Sequence, residues 1–409
     1  MSAYAGGLRC PVCDFETGED DWHQGCPRCR TDDRSVNMLP RYDFDQSEFL
    51  SDKAAPGLFK YRELLPLPVG VTPVSLGEGG TPLIRLDGVA AELGVGRFLI
   101  KDETRNPTWS YKDRLAAVAV TKAKHDGADT VVVASTGNHG AAVAAYAAAA
   151  GLRCVALTVA SVPLTMKVLM QVYGAAVVAV DDLEGRWTLM RAGVRERGWI
   201  PVSGIADPPA GSNPWGVDGY KTISYEVFEE LGAIPDVVVV PTAYGDGLAG
   251  ISRGFADLVE LGNADRVPQM VAVDPFGAYA AGLGEGRPVW MERRPSVAFS
   301  IATPIATEQG LVAIRESGGT AIGVGDDAEI MAAQRRLALA GIYLEASSAI
   351  SLPAVRRLVE GGQVGLDTTV VAIGTATGLK DVGVTAGLLP SVPVIEPTLE
   401  ALDRAITIR

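Results

Sequence analysis

From residue 76 onward the chain repeats one pattern: a short continuous apolar run, a loop of Gly, Ser and Thr, then a longer stretch with apolar residues at helical spacing. "TVVVAS" (130–135), "RCVALTVA" (153–160), "AAVVAV" (175–180), "DVVVVP" (236–241), "QMVAVDP" (269–275) and "TTVVAIG" (368–374) lack polar alternation, the mark of strands covered on both faces. Between them "AAVAAYAAAAG" (141–151), "MKVLMQVYG" (166–174) and "DAEIMAAQRRLALAG" (327–341) read as helices. Alternating units of this kind predict an α/β architecture of parallel sheets wrapped by helices. Residues 41–66 read as an amphipathic connecting arm, and residues 1–40 as a unit of their own.

Composition narrows the function classes. A chain of 409 residues exceeds one ordinary core and suggests two domains plus an appendage. The net charge of −13, without a cluster of Lys and Arg, argues against a nucleic-acid partner. The N-terminus offers no basic-then-apolar leader, and the most apolar charge-free stretch (140–152) is too short to span a bilayer. The expectation is a cytoplasmic protein with no membrane partner.

Four of the five cysteines form two knuckles, Cys10-x-x-Cys13 and Cys26-x-x-Cys29. Four thiolates so spaced close a tetrahedron around a structural Zn²⁺, with iron as a competing occupant because the gap between the knuckles is short. His23 is a spare ligand that the four thiolates make unnecessary. Cys154 stands alone in an apolar run.

Three loops follow predicted strands at their carboxyl ends, where open α/β sheets place ligands: "STGNHG" (135–140), "AYGDGLAG" (243–250) and "GTATGLKD" (374–381). The second spells G-x-G-x-x-G, a weak signal for a dinucleotide. Physically, Gly245 and Gly247 let backbone N–H groups approach an anion, and the helix from about Leu248 adds its positive end. "GISRG" (250–254) resembles a hydrolase elbow, but Ser252 falls inside a predicted helix, and His125 reads as a solvated helix end. Lys112, in "NPTWSYKDR" (106–114), has three readings: a point charge on a phosphate, an amine that condenses with an aldehyde, or a solvated lysine paired with Asp113.

Taken in order, "LGEGGTPL" (76–83), "KDETRNPTWSYKDR" (101–114), "STGNHG", "GDGLAG" and "GTATGLKD" resemble the threonine synthase branch of fold-type II pyridoxal-phosphate enzymes, over about residues 60 to 390. The Cys₄ knuckle also occurs in that branch. The resemblance implies the two-domain α/β fold of the tryptophan synthase β type behind a zinc ribbon: ribbon 1–40, arm and part of the large domain 41–104, small domain 105–208, large domain 209–395, tail 396–409. It implies that Lys112 binds pyridoxal 5′-phosphate covalently and moves the Cα proton. Asn138 would meet the cofactor's 3′-oxygen, Gly245, Asp246, Gly247 and Leu248 would cradle its phosphate, and Thr375 would lie near the pyridine nitrogen. Ser135, Thr136 and His139 would serve the substrate carboxylate. The implied activity is a lyase or synthase acting by Cα deprotonation and β/γ elimination or replacement on an amino acid, with O-phosphohomoserine to threonine first, in a homodimer.

Some positions depart from that pattern. Trp109 stands where a small residue is usual, and is read here as a substrate-pocket residue; Tyr111 replaces phenylalanine. Gly216, in "NPWGVDGYKT" (213–222), replaces an arginine that would be a phosphate partner if it faced the substrate. These changes favour an alternative, an ammonia-lyase or β-replacement enzyme for another amino acid. Asp246, a carboxylate beside a would-be dianion, is expected to turn away, and Glu345 in "EASSAIS" (345–351) is a further candidate. A vestigial enzyme domain serving a zinc-ribbon interaction protein, and a nicotinamide dehydrogenase, are the readings from other classes.

Overall fold

The structure is a computed structural model, and it describes residues 3–19, 22–44, 49 and 51–407. Residues 45–48 and 50 of the expected connecting arm therefore lie outside the described residues. All six apolar runs form strands within a residue of their expected bounds, and the three helical stretches form helices. Among the described residues no helix is long and apolar enough to cross a membrane.

The strands build two parallel layers and a small antiparallel one. The larger sheet runs Thr320–Gly323, Gln269–Asp274, Val237–Pro241, Thr369–Gly374, Arg97–Asp102 and Leu83–Arg85, with only the last antiparallel to its neighbour. The second runs Ala176–Val180, Arg153–Val159, Thr130–Ala134 and Ile200–Pro201, all parallel. Runs such as Val237–Val240 are fully buried because helices cover both faces. In the N-terminal sheet Tyr4–Arg9 pairs with Glu16–Thr17 and Leu39–Tyr42. This unit docks on the body through Arg30 Nη2 to the Asp207 carbonyl (3.1 Å) and Asn37 Nδ2 to the Ser212 carbonyl (3.0 Å) and Gln309 Oε1 (3.2 Å).

The helix that begins at Lys112 is placed by a buried charge network. Two residues on, the fully buried Arg114 is gripped bidentately by Glu103 (2.7 Å at Nε and at Nη2) and by Glu226 (2.8 Å at Nη1 and at Nη2). The loop before it is fixed by Asp113, whose carboxylate accepts from Thr108 N (2.8 Å) and Oγ1 (2.7 Å). Asp113 is therefore spent on backbone geometry and not on pairing with Lys112.

Trp109 adopts φ = +59°, the left-handed region that costs a bulky residue roughly 1–2 kcal/mol. The turn is pinned from both sides, Trp109 N donating to the Asn106 carbonyl (2.8 Å) and the Trp109 carbonyl accepting from Thr377 N (3.3 Å). Trp109→Gly is expected to leave stability within about 1 kcal/mol, because relief of strain offsets the added unfolded-state freedom. Trp109→Val should cost about 1–2 kcal/mol, since β-branching tolerates this φ worst. Urea midpoints measure both, and equal midpoints for the two variants would contradict the strain argument.

Candidate active site

The loops identified from sequence converge on one cavity of about 370 Å³ between the two parallel layers. Lys112, Ser135, Thr136, Asn138, His139, Gly245, Asp246, Gly247, Leu248 and Thr375 all line it. Trp109 does not: its positive φ turns it outward, 45% exposed. Gly216 does not line it either, because a Cβ there would meet Ala119 Cβ at 2.9 Å and the Leu115 carbonyl oxygen at 3.0 Å. A side chain at 216 would press into the Lys112 helix.

Lys112 Nζ lies 5.0 Å from the Tyr111 ring centre and 5.7 Å from that of Tyr220. Burial lowers its pKa, and the charges of Asp246 and Glu345 oppose that shift. More of the amine is thus neutral, as condensation or proton abstraction requires. Opposite it begins the helix Asp246–Glu260, capped by Gly245 at φ = +78°. The first-turn N–H groups of residues 246–248 have no intrahelical acceptor. Gly247 is obligatory on space, since a Cβ would stand 2.6 Å from the Tyr111 ring.

The Asp246 carboxylate turns away from these amides, as expected. Its oxygens accept from Ser212 N (2.8 Å), Ser212 Oγ (2.7 Å) and Gln309 Nε2 (2.7 Å). Ser135 Oγ likewise points into its own turn, accepting from Gly137 N (3.1 Å) and Gly140 N (3.0 Å), so it shapes the start of the helix Asn138–Ala150. His139 is buried with Nε2 unpartnered, and burial, then the charge of Lys112, holds its pKa well below the ordinary range.

Asn138 joins a relay that no local pattern announces. Its Oδ1 accepts from Lys380 Nζ (2.7 Å), and its Nδ2 donates to both Glu345 oxygens (3.3 and 3.2 Å). Burial pushes Lys380 down to about 8, against Asp113 and Glu345. Burial likewise pushes the Glu345 carboxyl up to about 7, with Lys380, Asn138 and Ser300 working against it. Ser348 shares a 2.6 Å hydrogen bond with Thr375 Oγ1. Lys380 and Ser348 both lie inside segments that sequence had already singled out, "GTATGLKD" and "EASSAIS", but their roles depend on partners across the fold.

A carboxyl whose folded-state pKa is raised stabilises the fold while it is protonated. The Glu345 contribution is therefore fully present below the ordinary 4.5 and is lost as pH rises through about 7. Glu345→Gln should gain on the wild type by about 1–3 kcal/mol between pH 5 and pH 8. Parallel stability profiles across that window would count against a buried, titrating Glu345.

Comparison with known proteins gives a consistent result. Residues 74–376 match the family model described as "Pyridoxal-phosphate dependent enzyme". Threonine synthase of Methanosarcina acetivorans is 34% identical, with 98% of each chain covered. That of Methanocaldococcus jannaschii is 34% identical over 83% of this chain and 86% of its own. Among solved structures, maize serine racemase superposes with a TM-score of 0.65 at 19% identity, covering 75% of this chain and 91% of its own. Threonine deaminase isoform 2 of Solanum lycopersicum gives 0.63 at 22%, covering 76% and 84%. At such identities these two likenesses speak for the fold alone.

Proposed function

The chain belongs to the pyridoxal-phosphate-dependent enzymes as a lyase of the threonine synthase type, and from that premise we propose that it converts O-phosphohomoserine to threonine in the Lys112 cavity. The observation that carries this is one enclosed space shared by a buried-side amine, Lys112, and the amide cradle of residues 246–248. The features that favoured a pocket rebuilt for another amino acid, Trp109 and Gly216, lie off the cavity.

The residues fit pyridoxal phosphate. The helix start and the glycines without room for a Cβ suit its phosphate, and His139, which lines the same cavity, has a buried Nε2 with no partner. When bound, the cofactor supplies an aldehyde for condensation with an amine and a ring that takes up electron density from Cα. Lys112 would hold it and then carry the proton at the substrate Cα, a role its lowered pKa suits. Asn138, fixed between Lys380 and Glu345, would present its side-chain amide to the cofactor's 3′-oxygen. Thr375, paired with Ser348, would offer a neutral hydroxyl to the ring nitrogen. Thr136 and the start of the helix Asn138–Ala150 would take the substrate carboxylate, with Ser135 holding that turn in shape.

The division of the chain at about residues 105 and 208 into large and small domains, a homodimer and a cytoplasmic location complete this reading. Mixing cofactor-loaded protein with O-phosphohomoserine should release inorganic phosphate and threonine in equal amounts. Release of neither, with the cofactor bound, would refute the assignment.

The cysteine cluster supports a structural Zn²⁺. The four Sγ atoms lie within 4.8 Å of one another, with Cys10–Cys29 at 3.8 Å and Cys13–Cys26 at 3.6 Å. Tetrahedral Zn–S bonds of about 2.3 Å demand sulfur separations of about 3.8 Å. Cys26→Ser should lose the metal and unfold the N-terminal sheet. Because Asn37 also bonds to Ser212 and Gln309, which hold Asp246, cofactor affinity should fall several-fold. Metal analysis and cofactor titration check this, and full metal retention would exclude Cys26 as a ligand.

A further inference from the structure

Tyr111 brings to the cavity a group that the chemistry above does not use. It lines the wall beside Lys112, is only 8% exposed, and its hydroxyl has no hydrogen-bond partner among the described residues. The ring is held from two sides. It packs on the Tyr220 ring at 4.7 Å between centres, and on the backbone of Gly247, where a Cβ would meet its Cε2 at 2.6 Å and its hydroxyl oxygen at 3.3 Å. The Tyr111 backbone is pinned as well, N donating to the Thr375 carbonyl (2.9 Å) and the carbonyl accepting from Arg114 N (3.1 Å). The phenol thus lies against the first turn of the helix Asp246–Glu260.

Other polar side chains around that turn are engaged with the protein. Tyr279 Oη donates to the Ala243 carbonyl (2.9 Å), and Thr307 Oγ1 (2.8 Å) and Gln309 Nε2 (2.7 Å) donate to the Tyr244 carbonyl. Asp246 is taken up by Ser212 and Gln309. The Tyr220 hydroxyl is also unpartnered, but Tyr220 does not line the cavity. Burial, then the charges of Asp246 and Glu345, raise the pKa of Tyr111, so its hydroxyl keeps its proton and is a donor. A nearly buried donor without an acceptor is costly, and in a cavity wall it points to an acceptor that a ligand brings.

We propose that the Tyr111 hydroxyl is a side-chain ligand of the cofactor's phosphate, donating a hydrogen bond to it beside the amides of residues 246–248. The inference rests on the lyase reading and deepens it. The amides at a helix start attract an anion through their summed dipoles, whereas a phenol held at one edge of the cradle selects one phosphate oxygen and so fixes the group's rotation. Lys112 follows Tyr111 directly, with its Nζ 5.0 Å from the ring centre. One short stretch of chain would therefore hold the cofactor at both its aldehyde and its phosphate.

The test titrates the full chain by absorbance with pyridoxal 5′-phosphate and, separately, with pyridoxal, which carries the aldehyde but no phosphate. Tyr111→Phe removes one oxygen and keeps the ring that packs on Tyr220 and Gly247. The variant should bind pyridoxal 5′-phosphate roughly ten- to a hundredfold more weakly, the range for a hydrogen bond to a charged group, and should bind pyridoxal as the wild type does. Equal affinity of the two proteins for pyridoxal 5′-phosphate overturns the proposal, and so do equal losses for both aldehydes. Urea midpoints without cofactor should coincide; a clearly lower midpoint for Tyr111→Phe would mean that the hydroxyl already has a partner in the fold, and also overturns it. The two readings fail differently. Wild-type protein that takes up neither aldehyde fails the lyase reading and this one with it, whereas wild-type protein that loads, with a variant that loads equally well, fails only this one.

Discussion

Lys112→Ala is expected to abolish turnover, by on the order of 10³-fold or more, while the thermal transition moves by no more than a few degrees. The amine stands against the rings of Tyr111 and Tyr220 in a cavity wall, so its removal breaks no ion pair that the fold depends on. The helix it begins is anchored by Asp113 and Arg114. Lys112→Arg sharpens the result. If the residue served only as a positive charge for a phosphate, arginine would preserve activity. A guanidinium cannot release its proton at neutral pH, so the condensation and proton-transfer role requires that this variant also be inactive. Retained activity in either variant would remove Lys112 from the chemistry.

The fold was legible wherever burial is two-sided. Runs such as "TVVVAS" and "DVVVVP" have one interpretation in an alternating α/β chain, and their strands appear within a residue of the expected bounds. Arg97–Asp102 escaped that logic although it lies inside the larger sheet. Its apolar run is short and ends in Lys101, which is fully buried with its Nζ donating to Glu226 (2.9 Å), Glu230 (2.5 Å) and the Thr81 carbonyl (2.5 Å). A charge that signals a surface in sequence is here met by two carboxylates more than a hundred positions away, a pairing that no local pattern encodes.

The site divides in the same way. Loops at strand ends can be read because glycine and hydroxyl residues there have a local backbone reason, and the topology then gathers them. What could not be read are partners joined only by folding, such as Lys380 to Asn138 or Ser348 to Thr375. Trp109 shows the converse: nearness to Lys112 in sequence says nothing of direction, which its φ of +59° sets. The Gly216 argument failed on direction too, for its Cβ vector points at a helix.

Arg114→Ala is expected to cost about 3–5 kcal/mol, the range for breaking a buried ion pair by removing one partner. The side chain is fully buried and its donors are all engaged, with Thr222 Oγ1 (2.9 Å) and Thr81 Oγ1 (3.1 Å) completing the two carboxylate forks. Its loss leaves Glu103 without its fork and Glu226 with Lys101, the Gly80 amide (2.8 Å) and the Thr81 hydroxyl (3.5 Å). Burial would then weigh more heavily on Glu226, so it should take up a proton more readily once it loses the Arg114 charge that holds its pKa low. The deficit should accordingly shrink as pH falls toward 5, because a protonated Glu226 no longer carries uncompensated charge. Arg114→Lys keeps the charge but not the planar fork and should recover only part of the loss. Since the network ties the 79–81 loop, the 103–106 turn and the helix Lys221–Leu231 to the helix of Lys112, cofactor affinity should fall along with stability. Urea unfolding at pH 5 and 8, with cofactor titration on the folded fraction, reads both effects. A deficit below about 1 kcal/mol at pH 8 would mean that water, and not Arg114, compensates these carboxylates.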